Sequence, residues 1–97
     1  MYYRLRLTNY FDVWGDAKTG WDVNDACIVW DDVWTSELND RRLLDILKST
    51  GFLHKNVKIN QINFDWVGPE CCEITLKKNY YPLCRIDIID EKEDHRD

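Results

Sequence analysis

One stretch constrains the fold more than any other. In "SELNDRRLLDILKSTGFL", residues 36–53, Leu43, Leu44, Ile46 and Leu47 recur at helical spacing, surrounded by Arg41, Arg42, Asp45 and Lys48. Ser36, Asn39 and Asp40 can each cap its start, because a short polar side chain accepts a bond from a free amide of the first turn. Gly51 suits the left-handed residue beyond the last turn, with Phe52 or Leu53 folding back on the helix end. A helix is predicted over 39–50, and the rest of the chain follows another period.

That period is two. Tyr3, Leu5, Leu7, Phe11 and Val13 alternate with Arg4, Arg6, Thr8 and Asp12, broken only at Asn9, which gives a half-buried strand to about Trp14. "GDAKTG" (15–20) has hairpin length and glycines where φ must be positive. A second strand follows from Trp21 to about Trp34, with Ala26, Ile28 and Trp30 on one face and Cys27, Val29 and Val33 on the other. Apolar residues of both parities point to a central strand or a twisted one. "HKNVKINQINFDWVG" is a third strand whose phase changes between Ile59 and Ile62, so a bulge is expected near Asn60. "VGPE" turns the chain, since Pro69 has no N–H for a ladder. Strands over Cys71–Lys77 and Leu83–Ile89 follow, the first with Cys72, Ile74 and Leu76 inward.

The expected fold is α+β: a mainly antiparallel sheet of four to five strands with one helix on one face, in the order β-β-α-β-β-β. Ninety-seven residues suffice for one core and not two. Residues 1–89 are expected to form that domain. Residues 90–97, "DEKEDHRD", lack apolar side chains and read as a charged tail. No window approaches the ~18 apolar residues of a membrane span. The alternating N-terminus is a strand and not a signal peptide, which points to the cytosol.

The net charge of −5 is unevenly spread. Residues 11–40 carry eight acids against Lys18 alone, a balance of −7, while residues 41–60 carry five bases against Asp45, a balance of +4. The acidic block counts against ordinary DNA binding, which needs phosphate neutralisation by Lys and Arg. It favours a partner with a basic surface.

Catalytic signatures are missing. No phosphate loop, GxSxG elbow or HExxH helix is present. Cys27, Cys71, Cys72 and Cys84 form no CxxC pair; adjacent Cys71 and Cys72 should point to opposite faces, so reduced thiols are expected rather than a zinc site. His54 follows the helix end, where satisfying a carbonyl or facing solvent is the ordinary role. As an EF-hand the loop after Phe11 fails on register, because Gly15, Ala17 and Thr19 fall where oxygen ligands belong. A solvated acidic loop is the default there, with a weak irregular cation site as the alternative. No catalytic residue, metal or cofactor is assigned.

The five tryptophans exceed what so small a core can bury fully. Trp14 and Trp21 can pair across the hairpin, yet Trp30 and Trp34 share the acidic segment too. Exposed aromatics beside carboxylates make a protein-binding surface. The candidate contact residues are Asp12, Trp14, Asp16, Trp21, Asp22, Asp25, Asp31, Asp32 and Trp34. A sheet face that stacks single-stranded nucleic acid on Tyr2 and Tyr10, with Arg4, Arg6, Lys77 and Lys78 on the backbone, is the alternative. A small carboxylate enzyme comes third, for want of an assignable acid–base pair.

"LTNYFDVWGDAKTGWDVND", "STGFL" and "YYPLCRIDI" together resemble small uncharacterised bacteriophage-encoded proteins. The resemblance carries over no site residue. It implies a context in which small acidic proteins inhibit host enzymes and defence systems, including CRISPR effectors. The expectation is a non-enzymatic protein, monomeric or homodimeric, acting on a protein partner in the host cytoplasm.

Overall fold

The computed structural model describes residues 1–10, 26–78 and 81–93. Strands β1 (Tyr2–Tyr10) and β2 (Ala26–Thr35) lead to helix α1 (Asp40–Ser49). A turn of 3-10 helix (Ile59–Gln61) precedes β3 (Ile62–Gly68), β4 (Cys71–Leu76) and β5 (Tyr81–Lys92). All five strands form one antiparallel sheet in the order β2-β1-β5-β4-β3. The α+β architecture with one helix on one face is the one read from the pattern. Among the described residues no helix is long and apolar enough to cross a membrane.

The helix ends as its residues dictate. Asn39 is extended (φ −149°, ψ 169°) and its Oδ1 accepts from Arg42 N–H at 2.8 Å. At the other end Gly51 takes φ +82°. Its N–H donates to Lys48 C=O at 3.1 Å, and that of Phe52 donates to Leu47 C=O at 3.0 Å. This double bond pattern is a Schellman cap, which satisfies carbonyls the last turn would otherwise leave open. Leu43, Leu44, Ile46 and Leu47 pack against Leu5, Leu7, Ile62, Cys72, Ile74, Cys84 and Ile86 of the sheet. Each fully buried Leu or Ile contributes roughly 1.5–3 kcal/mol over an exposed one.

Bulges decide which side chains leave that core. Leu5 faces Val33 and Leu7 faces Trp30, so β2 takes up an extra residue at Asp31–Asp32; it takes up another at Val29, before Ile28 faces Thr8. Ile89 is the extra residue of β5 opposite Arg4 and Leu5, and Val67 that of β3 opposite Cys72 and Cys71. Val29, Val67 and Ile89 are all exposed. At these three positions the extra residue breaks the alternation and is turned out, whereas Leu83, the extra residue of β5 opposite Ile74 and Thr75, stays packed against the core.

Three expectations are corrected. Of the two readings of β2, central or twisted, the central one is overturned: β2 is an edge strand, and its two bulges shift the parity so that Trp30, Val33 and Thr35 all lie opposite core-side residues of β1. The phase change before Ile62 comes from the 3-10 turn, with Gln61 N–H donating to Lys58 C=O at 2.9 Å, and not from a bulge at Asn60. Asp90, Glu91 and Lys92, placed in the tail on composition, are rungs of β5 opposite Arg4, Tyr3 and Tyr2. Backbone pairing with β1 holds them, while their side chains stay exposed.

Candidate functional site

The acidic–aromatic segment enters the described structure on β2. Of the nine candidate contact residues, Asp12, Trp14, Asp16, Trp21, Asp22 and Asp25 lie outside the described residues. Asp31, Asp32 and Trp34 lie on this edge strand, and both aspartates are exposed at the bulge. Two apolar neighbours join them: Ile28 is 56% exposed and Val29 46%. Sequence reasoning placed Ile28 and Val29 on opposite faces of a regular strand, because nothing in their local pattern marks a bulge.

Asp31 and Trp34 are held in place by other strands. Arg4 Nε donates to Asp31 C=O at 2.6 Å, and Arg4 Nη2 lies 3.8 Å from the Asp31 carboxylate. Trp34, opposite Arg4, carries Lys92 Nζ 5.0 Å from its ring centroid, a cation–π contact. The indole is therefore half-buried under a lysine stem and not an open anchor. Asp32 has no ion-pair partner among the described residues. Both bulges interrupt the regular row of edge N–H and C=O groups, which disfavours addition of a foreign strand.

The sheet face away from α1 is ionic. Asp87 Oδ2 accepts from Arg85 Nε at 3.0 Å and from Arg6 Nη2 at 3.5 Å. Arg4 and Arg6, named for a nucleic-acid backbone, are thus committed to carboxylates, although they share this face with Tyr2. Lys77 and Lys78 follow β4 at the opposite end of the strands, since Leu76 faces Tyr81 while Arg4 faces Asp90. The structure does not bring that set together. Tyr10 ends β1, with no described side chain.

Among the described residues one carboxylate pair across the sheet bears on acid–base chemistry. Asp65 faces Glu73 across β3 and β4, and the Glu73 carboxyl is raised above its ordinary range by burial and by Asp65, with Arg85 opposing. Like charges directly opposite are destabilising, and both sit on the flat ionic face. Neither lines the cavity at the end of β4.

The thiols of Cys71, Cys72 and Cys84 are all shifted upward, which favours their protonated form at neutral pH. Burial, with help from Asp87, pushes Cys71 up to about 11. Burial, then Asp40 and Cys71, pushes Cys72 up to about 12, and Cys84 is raised chiefly by burial. A thiolate is the nucleophile and the metal ligand, so none of the three is poised for either role. His54 is exposed, its Nδ1 accepting from Asn56 N–H at 3.1 Å. Among the described residues no three His, Cys, Asp or Glu side chains are grouped to hold a metal ion.

Comparison with known proteins adds no relative: no family model, no curated protein and no solved structure matches this chain.

Proposed function

We propose that this is a non-enzymatic interaction protein that binds a protein partner with a basic surface through residues 11–34. One observation carries the reading. β2, continuous with the acidic segment, is an edge strand that exposes Ile28 and Val29 beside Asp31 and Asp32. Exposed apolar groups next to carboxylates combine the two terms of a protein contact: area to desolvate, and charge to steer the encounter. The resemblance to bacteriophage-encoded proteins adds the context: an inhibitor of a host enzyme or defence complex, acting in the host cytoplasm as a monomer or homodimer.

The test is affinity capture from host lysate with immobilised protein, at low and high salt. Asp12, Asp16, Asp22 and Asp25 changed together to Asn should lose most of the partner captured by the wild type. Ile28→Ser with Val29→Ser should weaken capture at both salt concentrations, because the apolar contribution is not screened. Undiminished, salt-independent capture by the Asn variant overturns the electrostatic reading. Trp quenching by a mixed single-stranded oligonucleotide at low salt would replace it with the nucleic-acid reading.

A further inference from the structure

A second surface lies at the other edge of the sheet. The 3-10 turn and the end of β4 enclose an open cavity of about 490 Å³, lined by Val57, Asn60, Gln61, Leu76, Lys77 and Lys78. Its volume falls within the ~300–1,000 Å³ of small-molecule sites. Its walls are tied together: Lys77 N–H donates to Gln61 C=O at 2.9 Å, and Lys58 N–H to Gln61 Oε1 at 2.8 Å. The second bond uses the carboxamide oxygen and leaves the Gln61 NH2 as a donor at the cavity wall.

The lining chemistry has one sign. Among the described residues Lys77 and Lys78 are its charged groups, and no carboxylate lines it. Neither lysine has an ion-pair partner among the described residues, in a chain of net charge −5. Val57 and Leu76, both half-buried, add apolar wall. Amide donors, two ammonium groups and aliphatic wall together select an anion that carries a hydrophobic body.

We propose that this cavity binds a small organic anion: a phosphate, sulfonate or carboxylate on an apolar or aromatic frame. The anion lies between Lys77 and Lys78 and bonds to Gln61 Nε2, while the frame rests on Val57 and Leu76. The site is separate from the β2 edge, because β3 and β4 lie at the opposite side of the sheet.

The experiment titrates 15N-labelled protein with 8-anilinonaphthalene-1-sulfonate and follows the amide spectrum. Saturable shifts at Val57, Asn60, Gln61, Leu76, Lys77 and Lys78 are expected, at a dissociation constant below about 1 mM. Two arms separate the contributions. The uncharged N-phenyl-1-naphthylamine should bind about tenfold more weakly, and inorganic phosphate alone should compete only weakly, for lack of a body to bury. Lys77→Glu with Lys78→Glu, both exposed and so compatible with an unchanged fold, should lower affinity by about tenfold or more. Val57→Trp should fill the cavity and abolish the shifts. Shifts centred elsewhere, no saturation, or equal affinity in the charge-reversed variant would overturn the proposal.

Discussion

The indole N–H of Trp66 donates to Asp40 Oδ1 at 3.1 Å, tying edge strand β3 to the first residue of α1. The bond spans 26 residues and is exposed, so its strength is discounted by water. Trp66→Phe and Asp40→Ala, combined in a double-mutant cycle, should show a coupling of about 0.5–1.5 kcal/mol in urea denaturation. A coupling of zero would mean that Trp66 contributes by packing alone.

Both ends of α1 can be tested independently. Asn39→Ala removes the acceptor for Arg42 N–H and should cost about 1 kcal/mol. Gly51→Ala meets nothing within 4 Å, so its cost is the positive φ alone, again about 1 kcal/mol. Gly68 also has open space and no positive φ, and Gly68→Ala should stay within about 0.5 kcal/mol of the wild type. Each kilocalorie should lower Tm by about 4–8 °C for a domain of this size. Equal losses at Gly51 and Gly68 would contradict the strain account.

The thiols make stability fall on the alkaline side. Cys71 and Cys72 hold their protons more tightly when folded, at about 11 and about 12 against the ordinary 9.0. Their contribution is therefore complete below pH 9 and is lost as pH rises through the folded values. Urea midpoints should drop between pH 9 and 11, and Cys72→Ala should flatten that slope even though it lowers stability at pH 7. Asp87→Asn should bring Cys71 down, though not to its free value, because burial is the larger cause. Rapid labelling of all three described cysteines in the native state at pH 7 would contradict their burial.

Periodicity made the architecture legible. Leu43 to Leu47 and Gly51 specify a helix and its C-terminal end through local rules alone. The same rules narrow the N-cap to Ser36, Asn39 or Asp40, of which it is Asn39, and the alternation of Leu5 and Leu7 marks the buried side of β1. What stayed hidden depends on partners. Whether Ile28 and Val29 face the core or solvent is decided by bulges against β1, and a bulge is a relation between two strands. The same holds for Asp90 to Lys92, whose composition reads as tail until β1 supplies hydrogen bonds. The half-buried state of Trp34 under Lys92 spans β2 and β5, so no local spacing announces it.

The position of β5 sets an order of events during synthesis. β1 with β2, and β3 with β4, are hairpin neighbours in the sequence, but the two pairs meet only through β5, which sits between β1 and β4. Until residues 81–92 leave the ribosome, the nascent chain holds two sheet fragments without a common ladder. Such long-range closure is slow, because chain entropy is lost before the contacts that reward it form. Nascent chains stalled with β5 still in the exit tunnel should be cut readily by protease, and those extended by an added C-terminal linker of some tens of residues, which carries β5 out of the tunnel, should resist; protection of the shorter chains would show that α1 alone can join the halves. The final strand acts as a keystone: it joins into one ladder two fragments whose Leu5, Leu7 and Ile74 otherwise share a core through α1.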